Sequence, residues 1–534
     1  MKITSILRSG LLLAVLTIWG TVIYSQTEAD KQEIQKIISA MQIIDLAYVD
    51  SVDMQDIVEG AIVKSLKELD PHSAYISREE VQKANEPLEG SFEGIGVTFQ
   101  LYEDTILVIS PVPGGPSEKL GILSGDKIVK INGEDATGDK IDNEWVMKHL
   151  RGHKGTSVDV SIYRKGKKDL LDFTIIRDKI PLNSIDASFM AAPGIGYIRL
   201  NRFAKTSVEE FTAAVANLKS NGMSKLILDL RGNSGGYLNT AVELADEFIS
   251  SGRLIVYTEG LHSPKQEYYS TPTGSFEKGK LVVIIDEASA SASEIVSGAV
   301  QDWDRGIVIG RRSFGKGLVQ KPFNLPDGSV IRLTTARYYT PTGRCIQRPY
   351  DNGTEEYYKD LNKRFEHGEL VVADSIRFPD SLKYETPHGR IVYGGGGIMP
   401  DVFIPWDSTM FSDYYVDLRR KGVINNFTLQ YVDANRAKLT GLYPSVESFN
   451  FKFFVDQPVI DQFKALAEKE GVKFDEIGWK SSELLILTEI KALIARNLWD
   501  INAFYEIMSV IDDEFLKARD ILDDNEIFNK LNIG

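Results

Sequence analysis

The 534-residue sequence contains one cysteine, Cys345. No intramolecular disulfide can form, and a zinc site built on several thiolates is excluded. Histidine is scarce too: only His72, His149, His153, His262, His367 and His388 occur. None lies in a His-Glu-x-x-His helix or beside a Gly-x-Ser-x-Gly elbow. Nothing local therefore supports zinc chemistry or a Ser–His–Asp triad, although folding can assemble a triad from distant residues. Positive charge is in deficit, with 61 Lys and Arg against 76 Asp and Glu and a formal charge of −15. That balance excludes nucleic acid as the main partner, because phosphate binding needs a basic footprint. Beyond residue 24 no segment has the length and apolarity of a membrane helix.

The N-terminus does carry an apolar run. Lys2 and Arg8 precede residues 10–24, GLLLAVLTIWGTVIY, and Ser25 opens a polar stretch. This is the pattern of a signal peptide over 1–25. Tyr24 and Ile23 are bulky for a cleavage site, so an uncleaved membrane anchor is the alternative. Either one places the rest of the chain outside the cytoplasm.

A length of 534 residues gives room for about three or four domains. Residues 26–88 read as helical, with Ile34, Ile37, Ile38 and Met41 on one face and Asp70-Pro71 ending a second amphipathic stretch. Residues 89–180 change to short β-branched segments between Gly-, Pro- and Asp-rich turns, such as GIGVTFQL and DKIVKING. Residues 181–405 alternate strand and helix patterns, from GIGYIRL through KLILDL, RLIVYTEG and KLVVIID to GIVIG, which argues for an α/β domain on a largely parallel sheet. Within them 351–395 are polar and read as an insertion or long loop. Residues 406–534 read as helical, and 484–499 suit a buried helix or one facing a partner.

Three segments could carry chemistry. In LVVIIDEASASASEI (281–295) a strand ends at Asp286 and a helix begins near Ala292. A serine in such a turn sits where helix N–H groups and the dipole favour an oxyanion. Ser289, Ser291 and Ser293 are all candidates, and Glu294 fits a capping box for Ser291. In SFGKG, Lys316 could act as a base only if neutral, which requires burial or positive neighbours; Arg311 and Arg312 are near in sequence. In LDLRGNSGGYL (228–238), Gly-rich backbone could present N–H groups to a carbonyl oxygen. The run from Gly310 to Lys316 nearly matches a phosphate-binding loop, but Gly317 replaces the required Ser or Thr and a strand-like segment follows.

Together SASASEI, FGKG with its lysine 25 residues after Ser291, DLRGNSGG and YYTPTGRCIQ (338–347) resemble the C-terminal processing peptidases, or tail-specific proteases, over roughly residues 35–405. The resemblance implies an α/β protease core of crotonase/ClpP-like ββα units with an inserted, mostly β PDZ domain and helical N- and C-terminal extensions. It implies Ser291 as nucleophile, Lys316 as general base and Gln320 as the residue orienting the lysine. The oxyanion hole would use the backbone N–H of Ala292 and of either Gly235 or Gly236. The PDZ loop Gly94-Ile95-Gly96-Val97 would receive a chain terminus, with Arg151 sensing the peptide. The implied partners are protein or peptide substrates with free C-termini, and neither metal nor organic cofactor is implied. The implied location is periplasmic or otherwise extracytoplasmic, and homo-oligomerisation through the extensions is left open. The alternatives are a catalytically inert PDZ scaffold and a small-molecule hydrolase.

Overall fold

The computed structural model describes residues 28–102, 104–376 and 378–533, so the expected signal peptide or anchor at 1–25 lies outside the described residues. No helix among the described residues is long and apolar enough to cross a membrane. The chain divides into two compact units, 1–69 and 70–534. In the first, helices Glu28–Ala47 and Met54–Lys67 are described, and Asp53 caps the second by accepting the Gln55 N–H at 2.9 Å. Ile34, Ile37 and Ile38, the expected apolar face, are exposed.

The second unit opens with a departure from the helical reading of 26–88. Ala74–Ile76 is a strand, and a helix resumes only at Val81–Glu89. The cause is local: the Asp70 carboxylate takes the N–H groups of His72 and Ser73, which ends helical bonding and turns the chain.

The centre of this unit is a six-stranded sheet whose strands lie in sequence order: β1 (Ile185–Ala192), β2 (Ile195–Leu200), β3 (Lys225–Asp229), β4 (Leu281–Ile285), β5 (Ile307–Gly310) and β6 (Val402–Phe403). β1 and β2 are antiparallel and every later pairing is parallel. Strand periodicity sends alternate side chains to opposite faces. Leu226, Leu228, Val283 and Ile285 pack under helices α1 (Ser207–Ser220), α2 (Leu238–Asp246) and α3 (Ala292–Asp302). Ile227, Val282, Ile284 and Ile309 pack on the other face under the last helices, α4 (Asp513–Asp523) and α5 (Glu526–Lys530). The C-terminal end of the chain thus completes a three-layer core.

RLIVYTEG, grouped by sequence with the parallel strands, belongs elsewhere. Leu254–Gly260 joins a five-stranded sheet with Ala74–Ile76, Ser263–Tyr269, Leu318–Asn324 and Val330–Tyr339, and every pairing in it is antiparallel. Residues 351–395 are also more ordered than a loop. They form the helix Thr354–Glu366 and a hairpin of Lys383–Glu385 with Ile391–Tyr393.

The segment expected to be a PDZ domain is a sheet ordered Val97–Tyr102, Thr105–Pro111, Lys127–Ile131, Ser157–Tyr163 and Leu171–Ile176, with a short strand at Glu134–Asp135 and the helix Asn143–Leu150. It grows from a two-stranded stem in which Ser91–Gly94 pairs with Asp178–Pro181. The helices from Asp413–Arg420 to Ile501–Met508 share a separate apolar core. Leu485, Ile486, Ile490 and Ile494 are buried in it, so the apolar stretch 484–499 is a buried helix. Helix Val423–Leu442 meets this sheet domain through an Asn425–Gln100 hydrogen bond of 3.4 Å and a Lys165–Asp433 ion pair of 3.2 Å.

Candidate active site

Ser291 stands between β4 and α3, at φ 55°, ψ −108°. A non-glycine residue at positive φ stores about 1–3 kcal/mol of strain and persists only where its surroundings fix it. Tyr338 Oη donates to the Ser291 carbonyl at 3.1 Å, and the Ser291 N–H donates to Glu294 Oε2 at 2.7 Å. The other two serines are occupied in the interior. Ser289 Oγ donates to the Leu230 carbonyl at 2.8 Å and Ser293 Oγ to the Asn233 carbonyl at 2.9 Å, and both residues are fully buried. Of the three, Ser291 alone lines a cavity of about 500 Å³, which Lys316, Gln320, Gly235, Gly236 and Ala292 also line.

Lys316 precedes the strand Leu318–Asn324, as the failed phosphate-loop match required. Its amine donates to Gln320 Oε1 at 3.2 Å. Among the described residues no hydrogen bond joins it to Ser291 Oγ, and apo catalytic contacts often close only with substrate present. Burial holds the Lys316 ammonium below its ordinary pKa; Glu294 and Asp70 oppose this, and Arg332 assists it. The sequence pointed to Arg311 and Arg312 as the positive neighbours, and the structure corrects this. Arg311 pairs with Glu287 at 2.8 Å and with Glu514, and Arg312 pairs with Glu369 at 2.6 Å.

Glu294 does more than cap a helix. Its fully buried carboxylate accepts from Ser313 Oγ at 2.5 Å, Gly315 N at 2.7 Å, Lys316 N at 2.9 Å and Ser291 N at 2.7 Å. Burial pushes its pKa up and these donors pull it back. One side chain thereby ties the serine turn to the lysine loop.

The glycine loop 232–236 lies against the serine turn. A Cβ on Gly235 would stand 2.9 Å from Ser291 Cβ, and one on Gly236 would stand 2.1 Å from the Phe203 carbonyl oxygen. With φ of 104° and 155°, both positions require glycine. The Gly235 N–H is taken by Asn233 Oδ1 at 2.9 Å. No acceptor among the described residues takes the N–H of Gly236 or Ala292. The root of the loop is an ion-pair cluster. Burial alone would raise Asp229, but Arg199 at 2.7 Å and Arg231 at 2.6 Å hold it well below the usual carboxylate range.

Two groups of residues near the site escaped the sequence reading. The turn 70–73 reaches it through the His72 carbonyl, which accepts from Gln320 Nε2. The His72 ring bonds Tyr357 Oη at 2.9 Å, and Arg348 stacks between Phe314 at 4.0 Å and Tyr357 at 3.9 Å. The insertion helix therefore backs the lysine loop. YYTPTGRCIQ supports α3: the fully buried Arg344 pairs with Asp302 at 2.6 Å.

In the expected PDZ segment, the Ile95 carbonyl accepts Ser117 Oγ at 2.6 Å and the Gly96 carbonyl accepts Val112 N at 2.9 Å. No described acceptor takes the N–H of Ile95 or Gly96. Val97 opens a strand at the edge of the sheet. Arg151 lies beside Gly94, pairs with Glu86 at 2.5 Å and covers the Phe92 ring at 4.5 Å. Glu86 belongs to the helix Val81–Glu89, whose Val81, Asn85, Leu88 and Glu89 line the cavity.

Residues 194–356 match peptidase family S41, 94–175 the PDZ domain, 21–80 the N-terminal domain of the activating protease CtpB, and 414–500 a family of unknown function. The chain is 37% identical over 327 residues to the carboxy-terminal processing protease CtpB of Bacillus subtilis, covering 61% of this chain and 67% of that protein. It is 33% identical over 353 residues to a probable CtpA-like serine protease of Staphylococcus aureus, covering 64% and 70%. Among solved structures it is similar to a photosystem II D1 C-terminal processing protease, at 28% identity and a TM-score of 0.32, over 58% of this chain and 88% of the other.

Proposed function

The chain belongs to peptidase family S41, as a serine-type C-terminal processing protease with a PDZ domain, and from that premise we propose that it is an exported endopeptidase working through Ser291 and Lys316. Neutral Lys316 takes the Ser291 hydroxyl proton as Oγ attacks a peptide carbonyl, and the oxyanion forms against the N–H groups of Ala292 and Gly236. Lys316 then returns its proton to the leaving amine, and water hydrolyses the acyl-enzyme. Gln320 holds the lysine amine. The Gly94–Val97 loop receives the substrate terminus and the Val97–Tyr102 edge pairs with the residues before it. Arg151, through Glu86, couples that event to the helix that lines the cavity.

The observation that carries this reading is the joint one: a strained serine at a helix N-terminus shares a cavity with a buried lysine whose pKa is lowered. Export rests on the pattern of residues 1–25. An inert scaffold would need neither the strained backbone nor the buried amine, and no observation favours it. The test compares wild type with Ser291→Ala on one unstructured peptide bearing a free or an amidated C-terminus. Cleavage of the free form, sparing of the amidated form and an inactive variant are expected. Full activity in the variant would transfer the reaction to another nucleophile.

A further inference from the structure

Gln320 can hold Lys316 productively in only one of its two amide orientations. With Oε1 toward the amine, a neutral lysine donates a hydrogen to the glutamine and keeps its lone pair for Ser291. With the amide reversed, the NH2 group competes for that lone pair. The acceptor inventory decides the orientation: the His72 carbonyl can only accept, so Nε2 must face it and Oε1 must face Lys316. The question becomes what holds the His72 carbonyl in place.

The buried Asp70 carboxylate accepts from His72 N at 2.8 Å, Ser73 N at 2.8 Å, Ser73 Oγ at 2.5 Å and Thr334 Oγ1 at 3.1 Å. Thr334 is the cross-strand partner of Gln320, at a register shift between Val319 and Gln320. Thr334 N also donates to Ser73 Oγ at 3.1 Å. The turn and the glutamine are thus both referenced to the strand Val330–Tyr339, and the circuit closes through Asp70. On the outer side Tyr358 Oη donates to the Pro71 carbonyl at 2.7 Å.

We propose that Asp70 is a positioning residue for the proteolytic reaction: it orders the 70–73 turn so that the His72 carbonyl fixes the Gln320 amide, and through it the free lone pair of Lys316. The inference deepens the Ser291–Lys316 reading and rests on it. The charge of Asp70 acts on the same amine. The groups facing Lys316 are Glu294 from α3, Asp70 and His72 from the turn, and Arg332 from the antiparallel sheet. Burial, Lys316 and Arg348 keep the His72 ring neutral, with its pKa lowered to about 4 against the pull of Asp70. Of these groups Asp70 and Glu294 hold the Lys316 pKa up, so removing the Asp70 charge lowers it.

The test uses Asp70→Asn, which keeps an acceptor for the turn but removes the charge, and Thr334→Val, which removes one leg of the circuit and keeps its shape. For each, kcat and KM on a free-terminus peptide, the pH profile of kcat/KM, labelling of Ser291 by a fluorophosphonate and the melting temperature are measured beside Lys316→Ala. A fall in kcat of about tenfold or more with KM within about twofold is expected for Asp70→Asn. Its acid limb should move to lower pH and its labelling should slow. Thr334→Val should lose kcat with the acid limb in place. Wild-type kcat and acid limb in both variants overturn the inference while an inactive Lys316→Ala leaves the Ser–Lys reading standing. Losses that only track the unfolded fraction overturn it as well. An active Lys316→Ala overturns the reading itself and the inference with it.

Discussion

Ser291 and Lys316 are joined through a single atom: Glu294 Oε2 accepts the backbone N–H of the first at 2.7 Å and of the second at 2.9 Å. The serine turn and the lysine loop follow different strands of the central sheet, and this shared acceptor sets their spacing. Glu294→Gln places an NH2 group against donors, since all four partners of the carboxylate donate. A loss of about 2–3 kcal/mol of stability is expected from the unsatisfied buried groups, with kcat down by about a hundredfold or more as the spacing relaxes. Thermal unfolding and single-turnover cleavage measure the two. Wild-type kcat in a folded Glu294→Gln would show that the spacing is set elsewhere.

Gly236 tests the oxyanion assignment. Its N–H is free of described acceptors while that of Gly235 is held by Asn233. Gly236→Ala forces a Cβ toward the Phe203 carbonyl and displaces the N–H. The expected cost is about 10²–10³ in kcat, with affinity of the PDZ domain for a free-terminus peptide unchanged. Equal kcat would remove Gly236 from the hole.

The pH dependences of activity and stability should separate. On the proposed mechanism the reaction uses neutral Lys316, so kcat/KM should rise through a limb below the ordinary lysine value of 10.5. Stability should respond to His72, whose pKa falls from 6.5 to about 4 on folding through burial and the neighbouring Lys316. Between those values the unfolded chain binds the extra proton, so this contribution is full above pH 6.5 and is lost as pH falls toward 4. His72→Gln should flatten the melting temperature across that window. An unchanged slope would assign the acid sensitivity to other groups.

Much of this site was legible because its chemistry is written locally. Strand-turn-helix patterns around Ser291, Lys316 and 228–238 fall within short windows, and the strands KLILDL and KLVVIID are found at Lys225–Asp229 and Leu281–Ile285. The local pattern alone left Ser289, Ser291 and Ser293 as candidates, because the full burial of Ser289 and Ser293 arises from tertiary packing. The role of Asp70 was hidden because Thr334 lies 264 residues away in the chain. The helix Thr354–Glu366 was hidden for another reason. Its buried residues are Tyr357 and Arg364, so it shows no apolar stripe. Leu254–Gly260 carries a strand signal, but its neighbours are set by pairing across the fold and not by its own pattern.

The same limit applies to the C-terminal helices, whose contact with the active-site loops yields the last prediction. Arg231, at the root of the glycine loop, reaches Asp229 at 2.6 Å, Asp512 at 2.7 Å and Glu514 at 3.1 Å. Glu514 also meets Arg311, which leads into the lysine loop. Asp512 and Glu514 stand at the start of α4, so the end of the chain anchors two loops of the site. Asp512→Ala leaves a buried guanidinium short of one carboxylate, at a cost of about 3 kcal/mol or somewhat less, because Asp512 is itself partly exposed. Part of that loss should appear as lower kcat, with KM for peptide held. A double-mutant cycle with Arg231→Met measures the coupling: the second substitution should cost much less once the first is in place. Additive losses would show that α4 stabilises the sheet without holding the glycine loop.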